Sequence, residues 1–144
     1  MINKRVLICL LAVCISGFSL PSADRAQVPE VEQISILQLI ATPEAFNGKE
    51  VQVIGFLRLE FEGNVLYLHE EDYTHHIYKN GLWLRPNAKM KANTNKLNLH
   101  YVIIKGRFNA RDKGHMGLGS GTITEIRGAD IWPNPPNSRE VPPS

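Results

Sequence analysis

Residues 50–62 read EVQVIGFLRLEFE, and the parity of this stretch decides the fold. Val51, Val53, Leu57, Leu59 and Phe61 share one parity, while Gln52, Arg58, Glu60 and Glu62 share the other. That alternation predicts a long strand with one face inward. Gly55 interrupts the inward row, and a glycine inside a strand marks a bulge or the sharp bend of a barrel corner. Ile54 and Phe56 break the polar face beside it, so both sides of the strand are expected to be covered there.

Working outward, Gly63-Asn64 predicts a hairpin turn into a second strand over Val65–His69. Leu82–Arg85 reads as a third strand, His100–Asn109 as a fourth and Thr122–Ile126 as a fifth. Residues 86–98, PNAKMKANTNKLN, read as a polar, basic connection, and the glycine-rich GHMGLGSG at 114–121 as a bulged hairpin. Upstream, Ser35 three residues before Gln38 is a capping-box arrangement ahead of a short helix. Thr42-Pro43-Glu44 suggests a second helical start, and Asn47-Gly48 a turn. The expected fold is therefore mainly β: a five-stranded closed barrel preceded by a short helix, with a β-sandwich as the alternative.

At this point the chain resembles the OB-fold group. The line LQLIATPEAFNGKEVQVIGFL, with its short helix, Pro, Gly-Lys and bent strand, is similar to the opening of small exported bacterial OB-like proteins. The resemblance covers about residues 34–131. It implies the barrel but no particular activity, because this architecture hosts many unrelated ones.

The chain begins MINKRVLICLLAVCISGFSLPSADRAQ, with Lys4 and Arg5 ahead of an apolar run from Val6 to Leu20. This is the secretory pattern, and the run is short for a membrane span. The expected organisation is a signal peptide over 1–23, a linker over 24–33, the OB-like domain over 34–132 and a Pro-rich tail over 133–144 with too little apolar content to pack. Export places the domain in the periplasm or outside the cell. Leu11-Ala12-Val13-Cys14 resembles a lipobox, which would tether the protein to a membrane at Cys14. Val13 is bulkier than the residue usual there, so release is preferred. Both cysteines, Cys9 and Cys14, lie in the leader, which removes thiol chemistry and disulfides from the mature chain.

Without the leader, 14 basic residues face 14 acidic ones. The distribution is uneven: residues 30–72 carry a balance of −7 and residues 79–113 one of +8. Two halves of one fold neutralising each other explain this more cheaply than a basic face for an anionic partner.

HEEDYTHH, residues 69–76, has the density of a metal or acid/base site. Zinc sites of His and carboxylate need ligands at scaffolded spacings such as HExxH. Here His69 and His75 are six apart, and adjacent His75 and His76 would point to opposite faces of a strand. A polar strand end, with Glu70, Glu71 and Asp72 opening a helical turn, is the plainer reading. The alternative is a metal-dependent hydrolase using His69, Asp72, His75 and His76, with His100 or His115 as a remote ligand. Paired-carboxylate catalysis needs a desolvated acid, which three carboxylates on a polar loop do not offer. GHMGLGSG lacks the GK[ST] ending of a phosphate loop, and Ser120 lacks a GxSxG context.

The remaining signal is aromatic and basic. OB-folds bind ligands on the face of their second and third strands and the loops flanking it. Tyr67, His69, Trp83 and Arg85 fall there, with Lys105 and Arg107 adding charge from another strand. The expected function is a non-catalytic exported binding module with no cofactor, recognising an envelope glycan, peptide, anionic polymer or protein. Export argues against nucleic acid. An inhibitor or immunity-like protein is the further alternative.

Overall fold

The computed structural model describes residues 31–133. The expected leader, most of the linker and residues 134–144 of the tail lie outside the described residues. The described elements are β1 (Glu32–Gln33), α1 (Ile36–Ala41), α2 (Pro43–Phe46), β2 (Glu50–Arg58), β3 (Val65–Tyr67), α3 (Glu70–Thr74), β4 (Gly81–Leu84), α4 (Ala88–Ala92), α5 (Thr94–Leu97), β5 (Tyr101–Asn109) and β6 (Thr122–Ile131).

β2, β3 and β4 form an antiparallel meander. β4 then pairs parallel with β6, β6 antiparallel with β5, and β5 antiparallel with β2. The ring closes, so the fold is a five-stranded OB-like mixed barrel and not a sandwich. β1 adds parallel to the outer length of β2, which takes Glu32 and Gln33 out of the expected linker.

Within the barrel β2 serves two of its three neighbours: Glu50–Phe56 pair with β5 and Phe56–Arg58 with β3, while β1 adds at Val51 and Gln52. The changeover falls at Gly55, as the interrupted row predicts. A Cβ on Gly55 would lie 2.5 Å from the Tyr67 carbonyl oxygen and 2.7 Å from Ile36 Cδ1. The missing side chain is thus what lets β3 cross close and α1 plug that end of the barrel with Ile36 and Leu39.

Leu57, Leu66, Leu82, Val102, Ile104, Phe108 and Ile123 are sealed in the interior. The segment 86–98 closes the core as two short helices, where the sequence suggested only a connection. Asn87 caps α4 by accepting the Met90 N–H at 2.8 Å, and its amide donates to the Ile126 carbonyl at 2.6 Å. Met90 and Leu97 are thereby turned into the core.

Two further expectations need correcting. β6 continues to Ile131, past the expected end at 126, because a register shift between Lys105 and Arg107 lets Gly128–Ile131 resume pairing with β5. β2 stops at Arg58, because the Leu59 N–H is taken by Asn98 Oδ1 at 2.8 Å. The chain then swings outward, and Phe61 is 97% exposed despite sharing the inward parity.

Candidate functional site

The register sets two rows of residues across the outer face of the barrel. Tyr101, Phe56, Tyr67 and Gly81 are successive cross-strand partners, and so are Arg58, Val65 and Trp83. Gly81 matters here because a Cβ would sit 2.6 Å from Val65 and 3.2 Å from the Tyr67 ring. Its absence leaves room for Tyr67 to lie across the sheet.

α3 packs over this face and contributes Tyr73. Its ring centroid is 6.2 Å from Phe56 and 5.8 Å from Tyr67, and the Arg58 guanidinium sits 5.3 Å above it. Phe56, Val65 and Tyr67 are buried in this small outer cluster, apart from the main core. Beyond Tyr73 opens a groove of about 550 Å³. Val65, Tyr67, Tyr73 and Trp83 line it, the β2–β3 hairpin (Glu60–Gly63) forms one wall, and the loop after β5, through His115, Leu118 and Gly119, forms the other. Its volume is within the range of small-ligand and peptide sites.

The second wall is held in place by Arg85. Its guanidinium donates twice to Asp112 Oδ2, at 3.1 and 2.6 Å, and Asp112 Oδ1 accepts the Gly114 N–H at 3.0 Å. The Arg85 hydrogen bond holds the Asp112 carboxyl below its ordinary range, against the opposing effect of partial burial. Gly114 then packs directly on the Trp83 indole, and His115 stacks on it at 6.2 Å. Lys79 and Ser120 tie the loop to the segment before β4 through the carbonyls of Gly117 and Lys79.

Of the residues expected to bind ligand, Tyr67 and Trp83 meet in the groove. Arg85 braces its wall from outside. His69 is exposed as the residue preceding α3, where its backbone N–H donates to Asp72 Oδ2 at 2.9 Å. Lys105 and Arg107 lie on β5 opposite Gln52 and Glu50, and neither is among the residues that line the groove. Arg107 is engaged by Glu50 at 3.2 Å, Glu125 at 3.1 Å and the Gly48 carbonyl at 2.9 Å. Glu50 also faces Arg127 at 3.3 Å, so part of the sequence's charge asymmetry is neutralised within the fold.

The four residues of the metal alternative are not brought together. Asp72 is buried with both oxygens engaged, by the His69 N–H and by Asn80 Nδ2 at 2.7 Å. His75 follows α3 in the open, and His76, in the left-handed region at φ 56°, turns to stack on Tyr78. Among the described residues, no group of three or more His, Cys, Asp or Glu side chains is placed to hold a metal ion. The helical turn expected of Glu70, Glu71 and Asp72 is what forms.

Sequence reasoning did not place Tyr73 or Tyr78 at the groove, put Phe61 on the inward row of the first strand, and weighed His115 only as a remote metal ligand. Tyr73 carried no periodic signal and the period pointed Phe61 inward, but their positions, in the turn after the second strand and at the first hairpin, are those that flank the ligand face of this architecture.

Burial pushes the Tyr67 hydroxyl up to about 12, and the neighbouring Tyr78, Glu60 and Tyr73 add to the shift while Arg58 opposes it. A folded pKa above the unfolded value of 10.0 means that the neutral phenol stabilises the fold fully below pH 10. That contribution disappears as pH rises from 10 through about 12. In an alkaline titration followed by tyrosinate absorbance, Tyr67 should ionise late and together with loss of structure. Tyr67→Phe should remove that step; ionisation of Tyr67 near its ordinary value in a still-folded protein would contradict the burial.

No protein-family model matches the chain, and no curated protein matches it.

Proposed function

We propose that the chain is an exported, non-catalytic binding module that receives an extended peptide segment of an envelope partner in the groove over β2, β3 and β4. The observation that carries this reading is an aromatic floor bordered by exposed apolar side chains: Phe61 (97% exposed) on one wall, with Leu118 on the loop opposite. Aromatic residues mark the energetically dominant parts of protein interfaces. The charged groups nearest the floor are occupied by each other, with Arg58 Nε on Glu60 and above Tyr73. The groove therefore favours apolar anchors over a densely hydroxylated sugar. The secretory leader supplies the compartment.

The test is selection of a phage-displayed random peptide library against the exported protein, followed by calorimetry of the selected peptides. Trp83→Ala should weaken binding by roughly 30-fold, the loss of a central anchor worth about 2 kcal/mol. Lys105→Ala should leave it unchanged. Peptides that bind the Trp83→Ala protein as tightly as the parent would refute the assignment of the groove. A glycan array run in parallel would replace the peptide by a sugar if only glycans bound in a Trp83-dependent way.

A further inference from the structure

Tyr67 lies in the middle of the outer aromatic face, cross-strand from Phe56 on β2 and from Gly81 on β4. Only 3% of the residue is exposed, and its ring packs beside Tyr73 at 5.8 Å. A Cβ on Gly81 would lie 3.2 Å from Tyr67 Cδ1, so the ring occupies the space that this glycine leaves free. The hydroxyl at the end of the ring has no hydrogen-bond partner among the described residues. The groups whose charges reach it, Tyr78, Glu60, Tyr73 and Arg58, all line the groove. Among the described residues the only occluded side-chain polar atom without a partner is Glu50 Oε1, so the Tyr67 oxygen retains an opening. That opening is onto the groove, which Tyr67 lines.

We propose that the Tyr67 hydroxyl is a specificity-determining group of the groove, donating a hydrogen bond to an uncharged amide carbonyl of the bound peptide. The inference rests on the reading of the groove as a seat for extended peptide, and it adds the polar contact that fixes register on an otherwise apolar floor. Polar groups withdrawn from water are partnered as a rule, and the fold itself offers this one nothing. Glu60, the carboxylate whose charge reaches it, is held by Arg58. The direction of the bond follows from the surroundings. Burial keeps the phenol neutral, so it retains its proton and offers it to an acceptor. With Glu60 matched by Arg58, Glu62 is left as a negative charge on the hairpin wall, which disfavours an ionised carboxylate on the ligand. An amide carbonyl is the uncharged acceptor that a peptide repeats at every residue, and Asn and Gln side chains carry the same group.

Tyr67→Phe deletes the oxygen and keeps the ring. Calorimetry of the library-selected peptides should show an affinity about tenfold lower for this variant, because the ligand carbonyl loses its donor. The urea midpoint of the unliganded variant should match the parent, because the hydroxyl bonds nothing within the fold. A drop in stability alongside the drop in affinity would make the hydroxyl a support of the floor and overturn the contact.

Analogues of one selected peptide, with a single ester in place of each amide in turn, locate the acceptor, since an ester carbonyl accepts more weakly. At one bond the ester should cost the parent about fivefold and Tyr67→Phe almost nothing. N-methylation of that bond, which keeps the carbonyl, should not reproduce the coupling. Coupling found instead on replacing a peptide Asn or Gln with Leu would assign the carbonyl to that side chain and support the same contact. A loss in Tyr67→Phe with no coupling at any carbonyl would overturn the acceptor. Peptides that require Trp83 yet bind Tyr67→Phe as tightly as the parent would overturn the contact and leave the peptide reading intact. Absence of any Trp83-dependent peptide would overturn both.

Discussion

Replacing Phe108 with alanine is expected to lower the stability of the domain by about 3 to 5 kcal/mol, the usual cost of emptying a phenylalanine site in a core. The ring has no solvent exposure, and it lies so close to Gly121 that a Cβ there would sit 2.5 Å from Cε2. One wall of the site is the bare backbone of Gly121, which has no side chain to collapse into the vacancy. The residue also joins three parts of the barrel. It pairs with Ile123 of β6, its N–H donates to the Lys49 carbonyl at 2.9 Å, and its carbonyl accepts the Gly48 N–H at 2.8 Å. Those backbone bonds survive the substitution, so the loss should fall on packing alone and leave the topology intact. For a domain whose total stability is of order 5 to 15 kcal/mol, the change shifts the thermal midpoint by roughly 15 to 30 °C. Denaturant unfolding should show a lower midpoint with an unchanged slope. Phe61→Ala is the control: being exposed, it should change stability by no more than about 0.5 kcal/mol. A Phe108→Ala cost below about 1 kcal/mol would mean that the ring is not enclosed as described.

The contrast between these two phenylalanines shows where sequence pattern ceases to determine structure. Both fall on apolar positions of strand-like stretches, and alternation alone treats them alike. What separates them is a tertiary hydrogen bond: Asn98 Oδ1 takes the Leu59 N–H, ends β2 and turns the hairpin outward. No local signal in residues 50–62 encodes that event. The barrel itself was legible because each strand reads its burial from its own period of two, and because Gly55 marks the point at which β2 changes neighbours. The helices between β4 and β5 were hidden for the opposite reason. Met90 and Leu97 are the only strongly apolar residues in that stretch, so no amphipathic stripe exists, and the helices rest on the Asn87 cap and the core they close. At the groove, strand parity led to Tyr67 and Trp83, because their faces follow from the pleat. The partner of Arg85 was not legible for the same reason: parity gives a face, but Asp112, which holds the guanidinium, comes from a loop 27 residues away in sequence. Long charged side chains are settled by such partners, and spacing does not reveal them.

Gly114→Ala should damage the groove more than any substitution that leaves its lining side chains intact. Gly114 has φ 70° and ψ −158°, a region that only glycine occupies without strain, costing any other residue about 1 to 3 kcal/mol. A Cβ would also be driven into the Cβ, Cγ and Cδ2 atoms of Trp83, so relief requires the loop to lift from the indole. Lifting breaks the stack of His115 on Trp83 and strains the run from Arg85 through Asp112 to the Gly114 N–H. We expect a loss of about 2 to 4 kcal/mol in stability, from strain and overpacking combined, and a change in the near-ultraviolet dichroism of Trp83. Peptide affinity should fall by at least about tenfold, because one wall is displaced while the floor remains. Gly117→Ala separates the two causes: it shares a positive φ, 68°, but an added Cβ meets nothing within 4 Å. It should cost about 1 kcal/mol of backbone strain and leave both the dichroism and the affinity near those of the parent. If Gly114→Ala matched Gly117→Ala in all three measurements, the loop would not be seated on the indole, and the groove would lack the wall on which its binding role depends.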